Sequence, residues 1–381
     1  MFARTGATTG KSFLIGECPE AVFASYLIRV RVSADVDSRY LATFFQSPDY
    51  WRQIEGGKRG IGQPNVNGQV LGQVQFPLAP PKEQRRIVAE IEKQFTRLEA
   101  GVSALRRVQA NLKRYRAAVL KAACAGQLVP TEAELQKSAG KGQKGFESGE
   151  QLLKRILAER RQHWTGRGQY KEPAAPDTAN LPPLPAGWTW ATAAQIGEAT
   201  TGFTPPKGNA DFFGGDIPFF KPTDLDAGYY VREFRDSLTE AGAEHGRILP
   251  PRSILVTCIG ATIGKTGFAR VQCATNQQIN ALTVAAELVC PEFVFWSLSS
   301  PFGQREIIEN SSATTLPILN KSKFEALPIA LPPLAEQTRI VAEVERRLSV
   351  VEELETVVSA NLQRATRLRQ SILQKAFTGR L

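Results

Sequence analysis

The sequence predicts an α+β protein in which two β-rich domains are joined by two long helices that form an antiparallel coiled coil. Three observations predict this fold class. An internal repeat runs through the 381-residue chain, short β-like runs fill the first part of each copy, and a heptad pattern fills the last part. Because antiparallel pairing of two equal helices places their domains at opposite ends, we expect a pseudo-twofold relation between the copies.

The repeat is visible at three places that occur in the same order in both copies. Residues 5–11 (TGATTGK) recur as residues 259–265 (IGATIGK), and residues 80–90 (PPKEQRRIVAE) recur as residues 332–343 (PPLAEQTRIVAE). Both copies close on a similar tetrapeptide, AGQL at 125–128 and TGRL at 378–381. The long period indicates duplication of a whole unit and not a solenoid repeat.

The first part of each copy has the composition of a β-rich domain. Runs such as Ser253–Ile259 and Ile279–Val284 are rich in β-branched residues and are bounded by Gly, Pro and Asn. These runs predict short strands joined by tight turns.

The second part of each copy is a predicted long helix that follows a Pro-Pro pair. Apolar residues recur every seven positions, with breaks at Gln109, Arg116, Glu355 and Arg369. This spacing favours a coiled coil formed within one chain, although an amphipathic helix lying on a domain is the alternative. The predicted coiled-coil core consists of Val88, Ile91, Phe95, Leu98, Val102, Leu105 and Leu112 in the first helix, and of Val341, Val344, Leu348, Val351, Val358 and Leu362 in the second.

These patterns divide the chain into five predicted segments. A flexible polar run at 137–145 lies in the segment that links the two copies, and a short basic helix is expected near Gly149–His163. The segments are the end of a first β-rich domain at 1–81, the first helix at 82–128, the linker at 129–180, a complete second domain at 181–332 and the second helix at 333–381.

Composition and charge restrict the classes of function. The net charge of +10 favours a polyanionic partner, yet residues 181–332 carry 11 basic against 14 acidic side chains, whereas residues 82–128 carry 11 against 4. No apolar stretch predicts a membrane span or a signal peptide. Two histidines and five cysteines without a C-x-x-C pair give little material for a metal site, and we predict none.

The Gly-Lys turns at Gly6–Ser12 and Gly260–Thr266 resemble phosphate-binding loops. A P-loop has four residues between its first Gly and the Gly-Lys pair, and here there are three. A tight turn between two strands is therefore the preferred interpretation, with an ATP-dependent enzyme as the alternative. No nucleophile–base pair or nucleotide-binding fingerprint is evident, and we predict no catalytic residue.

Polar side chains suited to base edges or phosphates occur throughout the second β-rich domain. Hydrogen bonding in turns and at strand ends is the alternative role for the amides. The candidate DNA-binding residues are Lys207, Lys221, Thr223, Lys265, Asn276, Gln277, Gln278, Asn280, Lys321 and Lys323.

The helix starts and the domain motifs together resemble the specificity subunits of type I restriction–modification systems. The similarity covers nearly the whole chain, in the order recognition domain, helix, recognition domain, helix. The segments that carry it are Pro80–Val88 and Pro332–Val341 at the helix starts, Leu184–Trp190 at the opening of a target recognition domain, Thr275–Ala281 within that domain, and Phe2–Lys11 in the first copy.

The resemblance implies a non-catalytic subunit that reads a bipartite site in double-stranded DNA, one half-site for each recognition domain. It further implies methyltransferase subunits that use S-adenosylmethionine, restriction–translocase subunits that use ATP, no cofactor on this chain, no membrane partner and a cytoplasmic location. About 70 residues of the first recognition domain, including its Gly-Trp opening, have no counterpart, so we expect an N-terminally truncated subunit. A non-catalytic coiled-coil scaffold, or an inactive truncated remnant, is the alternative.

Overall fold

In a computed structural model, the chain forms two compact units, residues 1–112 with 353–381 and residues 113–352. The structure describes residues 1–57, 65–139, 145–166, 168–226, 229–231, 233–312 and 316–381. The helices are α1 (Ser38–Phe44), α2 (Pro48–Gly57), α3 (Gly68–Gly72), α4 (Pro81–Cys124), α5 (Glu132–Ala139), α6 (Gly149–Gln162), α7 (Ala193–Ile196), α8 (Glu240–His245), α9 (Pro291–Ser299), α10 (Pro301–Glu309), α11 (Lys321–Glu325) and α12 (Leu334–Phe377). The strands are β1 (Phe2–Ala3), β2 (Leu27–Ile28), β3 (Thr189–Thr192), β4 (Gly197–Thr201), β5 (Phe213–Phe220), β6 (Tyr230–Val231), β7 (Ser237–Leu238), β8 (Ile254–Thr257), β9 (Thr266–Ala269), β10 (Ala274–Thr275), β11 (Ile279–Val284) and β12 (Pro328–Leu331).

The predicted α+β class is confirmed, and in each unit the two long helices run antiparallel. In the first unit, Val88 and Ile91 near the start of α4 share a core with Leu373 and Phe377 near the end of α12. In the second unit, Arg116 in the last part of α4 pairs with Glu352 of α12 at 3.9 Å.

The side chains at the predicted core positions of these helices differ in how far they are buried. Val88, Ile91, Leu112, Val341, Val344, Leu348, Val351 and Val358 are buried, whereas Phe95, Leu98, Val102, Leu105 and Leu362 are half-buried. Two residues that break the heptad pattern bind across the helix pair. Besides the Arg116 contact, the Arg369 guanidinium lies 3.9 Å from the Phe95 ring centre and 3.1 Å from the Glu99 carboxylate.

The second unit contains a five-stranded sheet in the order β4-β11-β8-β9-β6. Its pairs are antiparallel except β6 with β9. Strand β11 lies between β4 and β8, and its residues Ile279, Ala281 and Leu282 are fully buried. A three-stranded sheet, β10-β5-β7, and the β12-β3 pair are the other strands among the described residues of this unit. The strands predicted from the runs at 253–259 and 279–284 are therefore confirmed.

The repeat reappears as the same glutamine contact in both units. In the first unit, buried Gln84 accepts from the backbone N–H of Asp37, which caps α1, at 2.7 Å and donates to the Ala79 carbonyl at 2.7 Å. In the second unit, buried Gln337 accepts from the N–H of Cys290, which caps α9, at 2.9 Å. Gln337 also donates to the Pro332 carbonyl at 2.9 Å. Each glutamine thus anchors the start of its long helix to the preceding domain.

The linker prediction is wrong in part, because helix α5 extends through 137–139, the first residues of the run that was expected to be flexible. Thr131 and Glu134 form reciprocal side-chain to backbone bonds of 3.2 and 2.8 Å, the capping-box arrangement at a helix start. The backbone N–H of Glu132 donates to buried Glu336 at 3.0 Å, which ties α5 to α12. The remainder of the predicted flexible run, 140–144, lies outside the described residues.

The predicted basic helix is α6, and it packs on the second β-rich domain. Leu152 and Ile156 are buried, and the Gly149 N–H donates to the Gly187 carbonyl at 2.7 Å. A Cβ at Gly149 would lie 2.2 Å from the Leu331 carbonyl oxygen, so only glycine fits this approach. In the described parts of the chain, no helix combines the length and apolarity that a membrane crossing requires.

Candidate nucleic-acid interface

Two loops of the second unit meet beyond β4 and β10, and they carry several of the candidate residues. The loop after β4 is fixed to its neighbour by backbone bonds from Gly202 N–H to the Ile279 carbonyl (3.0 Å) and from Phe203 N–H to the Thr275 carbonyl (2.8 Å). The neighbouring loop, residues 276–278, joins β10 to β11. Lys207 and Gln277 on these loops are exposed, so both side chains are accessible to a ligand.

The candidate amides of this region do not share one environment. Asn276 is 8% exposed and Asn280 is 2% exposed, whereas Gln278 is partly buried. The Asn276 side chain donates to the side-chain oxygen of Gln278 at 3.0 Å, and the side-chain oxygen of Asn280 accepts from the Thr201 hydroxyl at 2.8 Å. These three side chains therefore support the loops, which is the alternative role that the sequence left open.

Lys221 and Thr223 follow β5 at the same end of the unit. The Asn276 backbone N–H donates to the Phe220 carbonyl at 3.2 Å, which brings this segment to the loop at 276–278. The Lys221 ammonium pairs with the Asp236 carboxylate at 2.5 Å and lies 5.7 Å from the Phe219 ring centre. Thr223 is exposed. Lys221 is thus partly neutralised, whereas Thr223 is open to solvent.

Lys265, Lys321 and Lys323 belong to a second group of candidates. The segments that carry them are joined by backbone bonds from Gly260 N–H to the Pro317 carbonyl (3.0 Å) and from Leu319 N–H to the Cys258 carbonyl (2.8 Å). Lys321 lies 3.5 Å from the Glu325 carboxylate, and Lys323 donates to the Asn310 carbonyl at 2.9 Å. Asn280 connects the two groups, since its amide nitrogen donates to the Leu319 carbonyl at 3.4 Å.

The Gly-Lys segment before Lys265 is a turn between antiparallel strands β8 and β9, as predicted. Gly260 and Gly264 have φ of +97° and +90°, values that favour glycine. The Gln304 side chain donates to the Gly264 carbonyl at 2.9 Å, and in the first unit the Tyr50 hydroxyl donates to the Gly10 carbonyl at 2.6 Å. Both turns are thus held by side chains of the domain.

Cys258, Cys273 and Cys290 of the second unit offer no activated nucleophile. Burial raises the pKa of the Cys258 and Cys273 thiols to about 12 and the pKa of the Cys290 thiol to about 11. All three are therefore protonated near neutral pH and weakly reactive. In the described ranges, no group of three or more His, Cys, Asp or Glu side chains is suited to hold a metal ion.

Sequence reasoning missed Gly202, Thr204 and Arg247 as contributors to this region. The Thr204 hydroxyl donates to the Gln277 carbonyl oxygen at 2.7 Å, and Arg247 donates to the Thr201 carbonyl at 2.8 Å. Gly202, which directly follows a strand, was the available signal, because a glycine there often marks a close backbone approach. The other two contacts join residues far apart in sequence and leave no local pattern.

We expect Gly202→Ala to displace the loop after β4. A Cβ at this position would lie 2.2 Å from the Asn276 carbonyl oxygen and 2.3 Å from the Thr275 hydroxyl oxygen, so backbone must move. The free energy of unfolding should fall by about 1–3 kcal/mol. Urea unfolding checks this, with Gly208→Ala, which has open space around its Cα, as the control. Equal stabilities for the two variants would contradict the described loop contact.

The comparisons with known proteins agree with this architecture. Residues 185–358 match the family model described as the type I restriction modification DNA specificity domain. The chain is 30% identical over 205 residues to the HindI specificity subunit of Haemophilus influenzae, covering 52% of this chain and 42% of that subunit. It is 25% identical over 375 residues to the EcoBI specificity subunit of Escherichia coli, covering 96% of this chain and 70% of that subunit.

A solved chain from a study of type I restriction–modification complex assembly has a similar fold. Its TM-score is 0.61 at 24% identity, and the match covers 91% of this chain and 72% of that chain. By its fold, the chain is an α+β protein with two 44-residue helices, of which the second follows a β-rich domain, whereas the described strands before the first are only β1 and β2, of two residues each. The relatives that it matches are specificity subunits of type I restriction enzymes, and its family-model match lies within residues 185–358.

Proposed function

We propose that this chain is the non-catalytic DNA-recognition subunit of a type I restriction–modification complex. The observation that carries the proposal is the match of residues 185–358 to a DNA specificity domain, on a unit whose loops expose Lys207 and Gln277 together. In this role the chain selects a bipartite site in double-stranded DNA. The same match disfavours the alternative of a coiled-coil scaffold without DNA function.

The proposed partners are double-stranded DNA, methyltransferase subunits and restriction–translocase subunits, all in the cytoplasm. The chain itself carries no cofactor in this proposal, while S-adenosylmethionine and ATP are bound by the partner subunits. The second recognition domain has more acidic than basic side chains, so its own attraction for phosphate is weak. Tight binding therefore requires partner subunits that enclose the DNA.

The ten candidate residues divide into proposed contacts and proposed supports. Exposed Lys207, Lys321 and Lys323 are suited to phosphate, as is partly exposed Lys265. Thr223 and Gln277 are exposed polar groups suited to either phosphate or base. Lys221, Asn276, Gln278 and Asn280 are the proposed supports, because these buried or half-buried side chains bond Asp236, one another or Thr201 and so hold neighbouring segments of the unit together.

The long helices are proposed to set the distance between half-sites. Each has 44 residues, which corresponds to about 66 Å at about 1.5 Å per residue. This length is near two turns of B-DNA at about 34 Å each.

A domain exchange tests the proposal. Residues 181–332 would be replaced by the corresponding domain of another specificity subunit, and sites methylated by the assembled complex would be mapped by sequencing. We expect one half-site to change to that of the donor and the other to remain. An unchanged site would show that this domain is not the reader.

A further inference from the structure

We propose that Gln277 is the side chain of the 276–280 run that reads a base edge, that its target is an adenine in the major groove, and that Asn276, Gln278 and Asn280 hold it in place. The inference rests on the proposed function and assigns a specificity-determining residue within it. The four side-chain amides at positions 276–280 look equivalent in the sequence. Their hydrogen bonds in the structure distinguish Gln277 from the other three.

Three of the four amides are engaged inside the unit. Asn276 and Gln278 form a closed pair. The side-chain amide of Asn276 donates to the side-chain oxygen of Gln278 at 3.0 Å, and the backbone N–H of Gln278 donates to the side-chain oxygen of Asn276 at 3.2 Å. Asn280 is 2% exposed and bonded at both ends, to the Thr201 hydroxyl and the Leu319 carbonyl. Reaching a base would require these side chains to break buried hydrogen bonds, which is unfavourable.

Gln277 differs in both exposure and bonding. Its side chain is exposed, and its carbonyl oxygen accepts from the Thr204 hydroxyl at 2.7 Å. Among the described residues its amide nitrogen has no hydrogen-bond partner, so two N–H donors and the second lone pair of the oxygen are available. One donor and one acceptor on a planar amide match the N7 acceptor and N6 donor of adenine.

Hydrogen bonds of Gln277 and of the residues on either side restrict its motion before any ligand binds. On one side, the Gln278 carbonyl accepts from the Cys258 N–H at 2.7 Å, and on the other, the Asn276 N–H donates to the Phe220 carbonyl. The Thr204 hydroxyl on the facing loop bonds the side-chain oxygen of Gln277 and favours one orientation of the amide. A side chain already held in position loses less conformational entropy on binding, which favours recognition.

The surroundings of Gln277 fit a DNA groove. Phe203, whose N–H is bonded to the Thr275 carbonyl, is 44% exposed, whereas Phe219, Phe220 and Phe268 of the same unit are buried. An exposed apolar ring suits a thymine methyl group, and exposed Lys207 on the same loop suits a phosphate.

The test is selection from a randomised duplex pool by the complex assembled with its methyltransferase subunits, followed by sequencing. For Gln277→Ala we expect a loss of discrimination of about 5- to 150-fold at a single base pair, with the other positions and the salt dependence unchanged. Gln277→Glu replaces the donor by an acceptor, so the preference at that base pair should move from adenine toward cytosine. Lys207→Ala should instead weaken all sequences equally and reduce the salt slope by about one.

Gln272→Ala is the matched control, because Gln272 is an exposed glutamine of the same unit outside both loops. It should leave the selected sequence unchanged. If the parent complex selects a defined site that neither Gln277 variant alters, the inference is overturned while the proposed function stands. If the parent complex selects no sequence at all, the proposed function fails, and this inference fails with it.

Discussion

Val344→Asp is expected to lower the free energy of unfolding by about 3–5 kcal/mol, because it places an unpaired carboxylate at a fully buried position of α12. Val344 is 0% exposed and occupies a predicted core position of α12. Neighbouring core residues Val341, Leu348 and Val351 are apolar, so they offer the carboxylate no hydrogen bond. The change in the urea midpoint, followed by far-ultraviolet circular dichroism, measures the effect.

Val350→Asp makes the same chemical change six residues further along the same helix. Val350 is 50% exposed, so its carboxylate stays hydrated, and we expect a change within about 0.5 kcal/mol. If both variants unfolded at the same urea concentration, Val344 would not lie in a packed seam. Substitution at half-buried Leu98 or Leu105 should give an intermediate loss.

The long helices could be predicted because their heptad pattern is local and their ends carry signals. The predicted ranges, 82–128 and 333–381, exceed the observed C-terminal ends at Cys124 and Phe377. Gly126 and Gly379, with φ of +64° and +70°, adopt the left-handed conformation that commonly ends a helix. The depth of each core position could not be predicted, because it depends on what packs beside it.

Two glutamates at equivalent places of the repeat show where sequence reasoning ends. Glu336 is fully buried, and it accepts hydrogen bonds from the Trp188 indole N–H at 2.9 Å and from the Glu132 backbone N–H. Burial raises the pKa of its carboxyl group. Glu83, its counterpart in the first copy, is exposed and pairs with Arg86 at 3.2 Å. The motif is the same in both, whereas the partners come from distant segments that the motif does not encode.

In the candidate interface, too, the sequence predicted residue types but not their tertiary partners. The sequence identified an amide-rich run, because residue type is visible there, but it could not distinguish Gln277 from Asn280. That distinction depends on Thr204 and Thr201, which lie on another loop and strand. Lys221 likewise looks free in the sequence, and its partner Asp236 lies 15 positions later, after strand β6.

Gln337→Glu is the second change with a large expected effect, because it replaces a buried hydrogen-bond donor by an acceptor. The Gln337 amide nitrogen donates to the Pro332 carbonyl, and its oxygen accepts from the Cys290 N–H. A glutamate keeps the acceptor but sets a carboxylate oxygen against a carbonyl oxygen, in a site that is 0% exposed. The repulsion and the buried charge should lower the free energy of unfolding by about 3–5 kcal/mol, measured from urea unfolding curves.

The repeat provides a replicate and a control for this change. Gln84→Glu should have a similar effect in the first unit, because the side chain of Gln84 donates to the Ala79 and Asp35 carbonyls at 2.7 and 2.9 Å and is equally buried. Gln363→Glu alters an exposed glutamine of α12 and should stay within about 0.5 kcal/mol of the parent. A loss at Gln337 no larger than that at Gln363 would mean that the buried glutamine does not anchor the helix to its domain. A loss at Gln337 without one at Gln84 would mean that the duplicated motif has kept its structural role in only one copy.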